Sequence, residues 1–472
     1  MNDYLLNLYH QLPAPLRSVA ASMRGYYLHW QRYGPETERI VQETFEREHW
    51  SPEKMREYQR QRLAQILETA ATRVPYYRDL WRARRRAGDH RSWTELENWP
   101  ILEKQVLRSQ PERLVADGYD LNDLVHQQTS GTTGTPLHLW FTRRTLRTWY
   151  GMHEARARRW YGVSDGDRWA ILGGQLICPA EARQPPFWVW NRGMRQLYLS
   201  VYHLSRKTIP AYLDALSRYR IRYLLGYSSA LYQLAEVAVA DRRTDLTMKV
   251  AITNAEPLIP YQRSLIAEAF RCPVRETYGL SELVVMANEC ERGALHLWPS
   301  VGIVEVMDDG KLMPPGCSGE LICTGLLSES MPLIRYRTGD RGALAPPDQR
   351  CACGRALPIL ASLDGRQDDL IITRDGRALC HLDLIFKGDL PIHEAQIIQE
   401  DLDTIRIRYV PASGYTPSAG ETMKRRVRQR VGEVKVILDR VDTIPRGPNG
   451  KFRVLISKAK RPTGSRAMPR SG

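Results

Sequence analysis

The chain has 472 residues, of which 43% are hydrophobic and 26% charged, values that are ordinary for a soluble globular protein. Its formal net charge is +15, but neither zinc-finger spacing nor an arginine–aromatic ladder accompanies this charge, so nucleic-acid binding is not indicated. The sequence contains no apolar run of membrane-spanning length, no N-terminal signal pattern, and eight unevenly spaced cysteines that do not resemble a disulfide framework. These observations predict a cytoplasmic protein of two to three domains.

Arginine dominates the positive charge and is concentrated in runs at 82–86, 156–159 and 424–426. Each run is predicted to be a solvated helix face. A basic field of this size also favours anionic partners such as ATP, CoA or a negatively charged membrane surface.

Residues 1–48 are predicted to be a basic helical extension, made of short helices that break at Pro13 and Pro15. Packing on the main body is the favoured interpretation, and a weak peripheral membrane contact is the alternative. The next helix is predicted to begin with Ser51 as N-cap and Pro52 in its first turn. It should end near Val74, because a residue that precedes a proline disfavours helical backbone.

A loop rich in serine, threonine and glycine is the most informative stretch of the sequence. Two apolar segments, 124–129 and 137–141, flank it and predict a hairpin-like pair of strands. Its glycines allow a close backbone approach, and its hydroxyl and N–H groups suit phosphate oxygens. A P-loop NTPase is not indicated, because no G-x-x-x-x-G-K-[ST] string is present. An ordinary surface turn is the alternative interpretation. The loop reads Thr129-Ser130-Gly131-Thr132-Thr133-Gly134-Thr135-Pro136.

The middle of the chain alternates helical stretches with short apolar strands, which predicts α/β layering. Strands at 301–307 and 319–324, with a turn at Asp308-Asp309-Gly310, predict antiparallel sheet. A smaller strand–helix–strand pattern with a strand at 431–438 follows residue 366. The predicted domains are therefore 49–366, a small domain at 367–457, and a disordered basic tail at 458–472.

Five further motifs follow the loop in a fixed order. In this order and at these distances, they resemble the core motifs of the adenylate-forming superfamily, and most closely its phenylacetate–CoA ligase branch with the CapK-type proteins. The resemblance implies an α/β fold with a large multi-layer N-terminal adenylation domain of mixed sheets and helices, plus a small mobile α+β C-terminal domain. The motifs are Asn254-Ala255-Glu256-Pro257, Tyr278-Gly279-Leu280-Ser281-Glu282, Tyr336-Arg337-Thr338-Gly339-Asp340, Gly365-Arg366-Gln367-Asp368-Asp369 and Pro445-Arg446-Gly447-Pro448-Asn449-Gly450-Lys451.

The same resemblance implies a role for each motif in binding ATP. The loop at 129–135 would hold the β- and γ-phosphates, although many relatives have a lysine where this chain has Thr135. Residues 254–257 and 278–279 would line the adenine pocket, with Tyr278 stacked on the base; a core aromatic is the alternative for Tyr278. Asp340 would accept the ribose hydroxyls, or would be a plain turn residue after Gly339.

The remaining motif residues would carry the chemistry and the domain movement. Glu282 matches the family carboxylate that binds Mg²⁺, and Ser281 lies where a hydroxyl meets the α-phosphate. Lys451 would bridge the carboxylate and the α-phosphate in catalysis, with a solvated loop lysine as the alternative. Arg366 is assigned to nucleotide binding, and Asp368 matches the hinge.

Three thiols and one imidazole form a second group of candidates. Cys290, His296, Cys351 and Cys353 are the donor types of a closed tetrahedral zinc site, although their spacing is not that of a standard zinc finger. Some members of the phenylacetate–CoA ligase branch carry cysteines in these regions, so structural zinc is predicted. Cys272 is an alternative fourth ligand, and four residues that never meet is the other interpretation.

The predicted function is ATP-dependent activation of a carboxylic acid as an acyl-adenylate, followed by transfer to CoA. One alternative is an adenylating ligase with an amine, sugar or carrier-protein acceptor, as in polysaccharide or secondary-metabolite biosynthesis, or one that transfers AMP to a non-carboxylate. Another is a non-catalytic nucleotide-binding scaffold, against which the joint presence of Glu282, Asp340 and Lys451 argues. The expected partner is a small-molecule acid, and a homodimer is left open.

Overall fold

The computed structural model describes residues 8–129, 137–179, 182–366, 371–374, 378–379, 390–447 and 452–459. The chain divides into two compact units, Met1–Thr338 with Ala343–Ser362 and Gly339–Gly342 with Leu363–Gly472. A large and a small unit are what the sequence predicts. The exact domain limits stay predictions, and the tail from residue 460 onward lies outside the described residues.

The helices lie mainly in the larger unit. The α-helices are α1 Ala14–Arg32, α2 Thr37–Arg47, α3 Pro52–Arg73, α4 Pro75–Arg86, α5 Lys104–Ser109, α6 Arg143–Ala157, α7 Ile209–Arg218, α8 Ser228–Ala240, α9 Pro260–Phe270 and α10 Pro417–Val431. Short 3₁₀ helices span Leu96–Asn98, Pro111–Leu114, Arg159–Tyr161, Arg192–Met194 and Val201–His203. Within the part of the chain that the model describes, no helix is long and apolar enough to cross a membrane.

The N-terminal helices test the predicted breaks at proline. The predicted break at Pro15 is wrong, because α1 runs for 19 residues with this proline in its first turn, where a missing N–H costs nothing. The predicted start of α3 is confirmed, since the Ser51 side chain accepts a hydrogen bond from the Lys54 N–H at 3.2 Å. The predicted end is also confirmed, since α3 stops at Arg73 and α4 begins at Pro75.

Among the described residues, the strands form five sheets, of which the largest have eight, five and four strands. Those of the first half are β1 Val125–Gln128, β2 His138–Phe141, β3 Trp169–Gly173, β4 Trp188–Asn191, β5 Gln196–Ser200, β6 Tyr223–Gly226, β7 Val250–Thr253, β8 Val274–Gly279, β9 Met286–Glu289 and β10 Leu295–Leu297. Those that follow are β11 Gly302–Asp308, β12 Lys311–Leu312, β13 Gly319–Gly325, β14 Tyr336–Leu344, β15 Leu360–Arg366, β16 Ile371–Ile372, β17 Ala378–Leu379, β18 Ile392–Gln399, β19 Thr404–Pro411, β20 Lys435–Arg440 and β21 Leu455–Ser457.

An eight-stranded sheet in the order β10-β9-β8-β7-β6-β3-β5-β4 is the centre of the larger unit. Its middle strands β5, β3, β6, β7 and β8 are parallel, and the outer strands β4, β9 and β10 are antiparallel to their neighbours. Helices α7, α8 and α9 bury their apolar faces against it, with Leu213, Leu231 and Phe270 fully buried. The central strands β3, β6 and β7 are mostly apolar and largely buried, as expected where helices cover a parallel sheet.

A five-stranded sheet in the order β12-β11-β13-β14-β15 follows. The predicted antiparallel pair is confirmed, since β11 pairs with β13 from Gly302↔Gly325 to Met307↔Glu320. Asp309 and Gly310 both have positive φ, 47° and 74°, as a tight hairpin turn requires. The turn leads first into the short strand β12, which the sequence did not predict.

The smaller unit contains a four-stranded sheet in the order β20-β19-β18-β21, together with α10. Its own apolar core includes Ile397, Ile407 and Val427. The strand predicted at 431–438 is wrong at its start, because α10 continues to Val431. Gly432, with φ 97°, ends the helix, and β20 begins only at Lys435.

Candidate active site

The predicted phosphate-binding loop is carried by a two-stranded hairpin. Strands β1 and β2 pair antiparallel, with Gln128 opposite His138. Beyond this pair, the Thr129 N–H donates to the Leu137 carbonyl at 3.1 Å, and the Leu137 N–H donates to the Thr129 hydroxyl at 2.9 Å. The hairpin context is therefore confirmed. The candidate residues Ser130, Gly131, Thr132, Thr133, Gly134 and Thr135 lie outside the described residues.

Two histidines and a tryptophan support this hairpin on one face. The rings of His126 and His138 are stacked with centroids 5.1 Å apart, and Nε2 of His126 lies 3.0 Å from Nδ1 of His138. The ring of Trp140 stacks on His126 at 4.9 Å. Burial, followed by the neighbouring His138, lowers the pKa of His126. The lowered pKa favours the neutral form of His126.

Two predicted nucleotide-binding motifs lie beside each other at one edge of the large sheet. Residues 254–257 follow β7, and Tyr278 lies at the end of β8. Strands β7 and β8 are parallel neighbours, with Thr253 opposite Glu276. Because the carboxyl ends of parallel strands meet at one edge, the fold brings the two motifs together there. Such an edge is where open α/β sheets commonly bind ligands.

The residues after β7 have an unusual backbone and a defined set of contacts. Ala255 has φ 63°, a conformation rare for a residue with a Cβ. The Asn254 N–H donates to the Gly226 carbonyl at 3.0 Å, and its side-chain oxygen is buried with no hydrogen-bond partner among the described residues. Glu256 accepts from the Ser229 N–H at 3.0 Å, and the Ser228 hydroxyl donates to the Pro257 carbonyl at 2.8 Å.

These contacts divide the predicted adenine-pocket residues by role. The Glu256 carboxylate satisfies a free N–H at the beginning of α8 and complements the positive end of that helix. Glu256 therefore has a positioning role that the motif alone does not show. Asn254 has an unsatisfied buried oxygen, the kind of group that a ligand with hydrogen-bond donors would complete.

The motif at 278–282 combines a buried tyrosine, a glycine packed against a methionine side chain, an exposed serine and a buried glutamate. Tyr278 is only 8% exposed, and a Cβ on Gly279 would lie 2.3 Å from the sulfur of Met286, so a larger residue would require the Met286 side chain to move. Ser281 is exposed. Glu282 is buried, and its Oε1 accepts a hydrogen bond from the Tyr336 hydroxyl at 2.8 Å.

The environment of Glu282 is notable for its lack of a positive partner. Among the described residues, no arginine, lysine or histidine nitrogen forms an ion pair with this carboxylate. A buried carboxylate without a cation is costly, and a bound metal ion would remove that cost. The donor type fits Mg²⁺, which prefers oxygen ligands and commonly uses one or two carboxylates.

The last three predicted motifs are described only in part. Asp340 lies in β14 and is buried, and the preceding Gly339 has φ 83°, which only glycine adopts without strain. Arg366 is the last residue of β15. Asp368 and Lys451 lie outside the described residues. The roles of these four residues stay predictions.

The four predicted zinc ligands meet in the larger unit. Their ligand atoms all lie within 4.8 Å of one another, in a group formed by Cys290, His296, Cys351 and Cys353. The two sulfurs of Cys290 and Cys351 are 3.6 Å apart, and the Cys353 sulfur is 3.3 Å from Nε2 of His296. Tetrahedral zinc would require about 3.7 Å between two sulfurs and about 3.5 Å between sulfur and nitrogen. The observed spacing therefore fits this ion.

The surroundings of this Cys/His cluster also suit a metal. Nδ1 of His296 lies 3.2 Å from the Leu357 carbonyl, a contact that would leave Nε2 free to bind metal. Burial lowers the pKa of His296, which favours the neutral imidazole that ligation needs. The alternative ligand Cys272 is not a member of the cluster, because it packs in the apolar core of the eight-stranded sheet.

A buried ion network lies beside the cluster, and the sequence did not predict it. Glu48 accepts from Arg156 and Arg355 at 3.0 Å each and from the Trp160 indole at 2.9 Å. Arg156 is fully buried, and its burial lowers its pKa to about 10. The prediction that 156–159 is a solvated face is therefore wrong for Arg156 and Arg158, whereas 82–86 is largely exposed as predicted.

Other functional contacts were also missed by sequence reasoning. The Tyr336–Glu282 hydrogen bond joins residues 54 positions apart, and the Glu48–Arg156 pair joins residues 108 apart. Tyr336 belongs to a motif that the sequence analysis had already identified. No local pattern links it to Glu282.

Comparisons with known proteins agree with this geometry. Residues 56–327 match the model of the AMP-binding enzyme family, and residues 371–458 match the CapK C-terminal domain. Protein CapK of Staphylococcus aureus is 24% identical, over 96% of this chain and 99% of its own length. Phenylacetate-coenzyme A ligase of Aromatoleum evansii is 28% identical, over 69% of this chain and 73% of its own.

The solved structures show the same fold. A 2-hydroxyisobutyryl-CoA ligase, in the postadenylation state with 2-HIB-AMP, superposes with a TM-score of 0.68 at 20% identity, covering 87% of this chain and 91% of its own. The predicted fold class is confirmed. Since the AMP-binding model matches more than half of the residues, the chain belongs to the AMP-binding enzyme family, in the branch of CapK and the phenylacetate–CoA ligases.

Proposed function

We propose that this protein is an AMP-forming ligase that activates a carboxylic acid with ATP and transfers the acyl group to CoA. The observation that carries the proposal is the meeting of residues 254–257 and 278–282 at the carboxyl edge of β7 and β8, with the buried Glu282 carboxylate among them. A site of this kind can hold a nucleotide and a divalent cation together.

In the first half-reaction a carboxylate oxygen forms a bond to the α-phosphorus of ATP. The bond from that phosphorus to the β-phosphate oxygen breaks, and pyrophosphate leaves. Mg²⁺, when bound, would neutralise phosphate charge. Glu282 would hold the cation, and the Tyr336 hydroxyl would keep one of its oxygens in place. Ser281, which is exposed beside it, would donate to the α-phosphate.

The remaining residues would position the nucleotide and stabilise charge. Tyr278 and the loop after β7 would flank the base, with the unpaired Asn254 oxygen as acceptor for its amino group. Asp340 would accept from the ribose hydroxyls. Thr129 would fix the base of the loop that surrounds the β- and γ-phosphates. Lys451 would contribute a cation where charge develops in the transition state.

In the second half-reaction the sulfur of CoA attacks the acyl carbon, and AMP leaves with the electrons of the carbon–oxygen bond. The family's ligase relatives support CoA as the acceptor. An amine, a sugar or a carrier protein stays the alternative acceptor. The likeness to CapK covers 96% of this chain and that to the phenylacetate-coenzyme A ligase of Thermus thermophilus covers 86% of it, so coverage does not separate the acceptors.

A panel of carboxylic acids tests the proposal directly. Purified protein with ATP and Mg²⁺ should release pyrophosphate only when its acid is present, and added CoA should then consume the acyl-adenylate. Adenylate that forms but persists in CoA would eliminate the CoA acceptor and leave adenylation intact. Nucleotide binding without pyrophosphate release from any acid would favour the scaffold interpretation.

We further propose that the Cys/His cluster holds a structural zinc ion. Four protein ligands leave no open position for substrate, so the ion would stabilise the turn after β9 against residues 351–353. Metal analysis should find about one zinc per chain. Cys353→Ser should lose the ion and lower the melting temperature, whereas Cys317→Ser, which changes an exposed thiol outside the cluster, should do neither. Metal-free protein of full activity and unchanged stability would contradict this proposal.

The localisation and the partners are consistent with this chemistry. We propose a cytoplasmic enzyme, because ATP and CoA are available in that compartment. A small-molecule acid is its main partner, and a homodimer is left for sedimentation analysis to detect.

A further inference from the structure

An exposed apolar stripe runs along the N-terminal helix α1. In the part of the chain that the model describes, nine large hydrophobic side chains are exposed, and seven of them lie between residues 8 and 30. Met23, at 71% exposed, is the most accessible of the nine. Such a concentration is unusual, because scattered single apolar side chains are the normal surface pattern. The seven are Leu8, Leu16, Val19, Met23, Tyr26, Tyr27 and Trp30.

The six members within α1 share one face of the helix. Apart from the adjacent Tyr26 and Tyr27, they follow one another at intervals of three or four residues, and at about 100° per residue all six fall within an arc of about 100°. The helix has 19 residues and is therefore about 28 Å long. We call this surface the α1 face; it consists of Leu16, Val19, Met23, Tyr26, Tyr27 and Trp30.

The opposite face of α1 is fixed on the body of the protein by small residues. The Ser18 hydroxyl accepts from the Trp190 N–H at 3.2 Å, and the Ser22 hydroxyl accepts from the Arg192 N–H at 2.9 Å. A Cβ on Gly25 would lie 1.7 Å from the side-chain oxygen of Asn191, so the helix and the body are in close contact there. The small residues are therefore packed and the large apolar ones are exposed, the reverse of an ordinary surface helix.

The charged side chains of α1 itself are all basic, although Asp165 of the body lies 3.4 Å from His29. Between Asp3 and Glu36 the sequence has no acidic residue, but it has three arginines. Arg24 is exposed, and the Arg143 guanidinium lies 3.9 Å from the centre of the Trp30 ring. A basic, aromatic and aliphatic surface of this composition complements anionic headgroups above an acyl-chain boundary.

We propose that the α1 face docks on the surface of a membrane that contains anionic phospholipid, with the helix lying in the plane of the interface. Tyrosine and tryptophan side chains suit this depth because each has an apolar ring and a polar edge. A second copy of the chain is the less suitable occupant, since two α1 faces in contact would bring Arg24 and Arg143 of each copy together. The proposal is independent of the ATP-dependent chemistry and does not rest on it.

Vesicle flotation tests this proposal with the full-length protein. The wild type should float with vesicles of mixed phosphatidylcholine and phosphatidylserine but not with phosphatidylcholine alone. High salt should weaken the binding, since ions screen surface charge. The double variant Met23→Glu with Tyr27→Glu should reduce the bound fraction by roughly tenfold or more, because carboxylates are costly at the interface.

The control is Leu312→Glu, which places one carboxylate, half the charge that the double variant adds, at a position that is 64% exposed on β12. This variant should float like the wild type. The melting temperature without vesicles should be equal in all three proteins and would show that the variants are folded. The proposal is overturned by wild type that never floats, by variants that float equally, or by a dimer in solution that Met23→Glu with Tyr27→Glu dissociates.

Discussion

The carboxylate of Glu282 and the carboxylate of Glu48 are both buried in the larger unit, but their charges are handled in opposite ways. Glu48 receives two guanidinium groups and an indole N–H. Glu282 receives one hydroxyl, and no cationic partner is found in the described ranges. A buried charge that is fully paired serves the fold, whereas one left without a cation indicates a site that awaits a ligand. The presence or absence of a cationic partner therefore distinguishes the Glu48 ion network from the proposed site at Glu282.

Replacing Lys451 should have the largest effect, because the proposed adenylation site needs a cation in the transition state. Lys451→Ala should lower the kcat of adenylation by about 10³-fold, while the Kd for ATP changes little. Stopped-flow pyrophosphate release and equilibrium nucleotide binding measure the two quantities. Lys435→Ala, which changes an exposed lysine of β20, is the control and should have the wild-type rate. A near-normal rate in the Lys451 variant would contradict the assignment of its loop.

Glu48→Gln tests whether the buried Glu48–Arg156 ion pair stabilises the fold. Removing one partner of a buried ion pair should cost about 3–5 kcal/mol of unfolding free energy, because Arg156 would be left buried and charged. Glu291→Gln breaks the other ion pair of Arg355, but its side chain is 49% exposed, so the cost should be below about 1 kcal/mol. Denaturant titrations of both variants measure the difference. Equal costs would mean that burial does not distinguish these pairs.

Glu282→Gln tests whether the Glu282 carboxylate binds the metal ion. The amide keeps the size and can still accept from Tyr336, so stability should be unchanged or slightly higher. The kcat of adenylation should fall by about 10²-fold through the loss of the metal ligand. Tyr336→Phe keeps the charge and removes only the hydroxyl, so it should cost about tenfold or less. A Glu282→Gln variant that unfolds more easily but keeps a near wild-type kcat would show that this carboxylate stabilises the fold, as Glu48 does.

The sequence predicts the parts of both sites that depend on local signals. The Ser51 cap, the Asp309–Gly310 turn and the hairpin at Thr129 each follow from residues within a few positions of one another. The Cys/His cluster was predicted from donor chemistry and from the resemblance to a family.

The contacts that distinguish the sites were not predictable in this way. Glu48 and Arg156 lie on different helices, and Arg156 belongs to a run that resembles an ordinary solvated face. The Tyr336 hydroxyl reaches Glu282 only because β14 and the turn after β8 are brought together in the fold. Long-range pairing of polar groups leaves no periodic signal in the sequence, so only the structure shows which charges are satisfied.

Glu276, in β8, gives the test with the smallest expected effect. Its environment is intermediate between that of Glu48, which has cationic partners, and that of Glu282, which has none among the described residues. Burial, partly offset by Arg263 and added to by Glu289, raises the pKa of this carboxyl from 4.5 to about 6. Glu289 itself is held by Arg263 through two hydrogen bonds of 2.9 Å, so this arginine is already occupied. Glu276 is therefore a half-buried carboxylate with an incomplete set of partners, two residues before Tyr278.

The raised pKa fixes the sign of its effect on stability. The folded state prefers the neutral carboxyl, so its contribution is present below pH 4.5 and is lost as the pH rises through about 6. Glu276→Gln should therefore match the wild type in stability at pH 4 and exceed it by up to about 2 kcal/mol at pH 7.5, since one pKa unit corresponds to 1.36 kcal/mol. Glu268→Gln, at an exposed position of α9, should show no such pH-dependent gain. A variant that is less stable than the wild type at pH 7.5 would mean that the ionised Glu276 is paired after all. The proposed nucleotide-binding edge of the sheet would then contain one buried carboxylate without a cationic partner, Glu282, and not two.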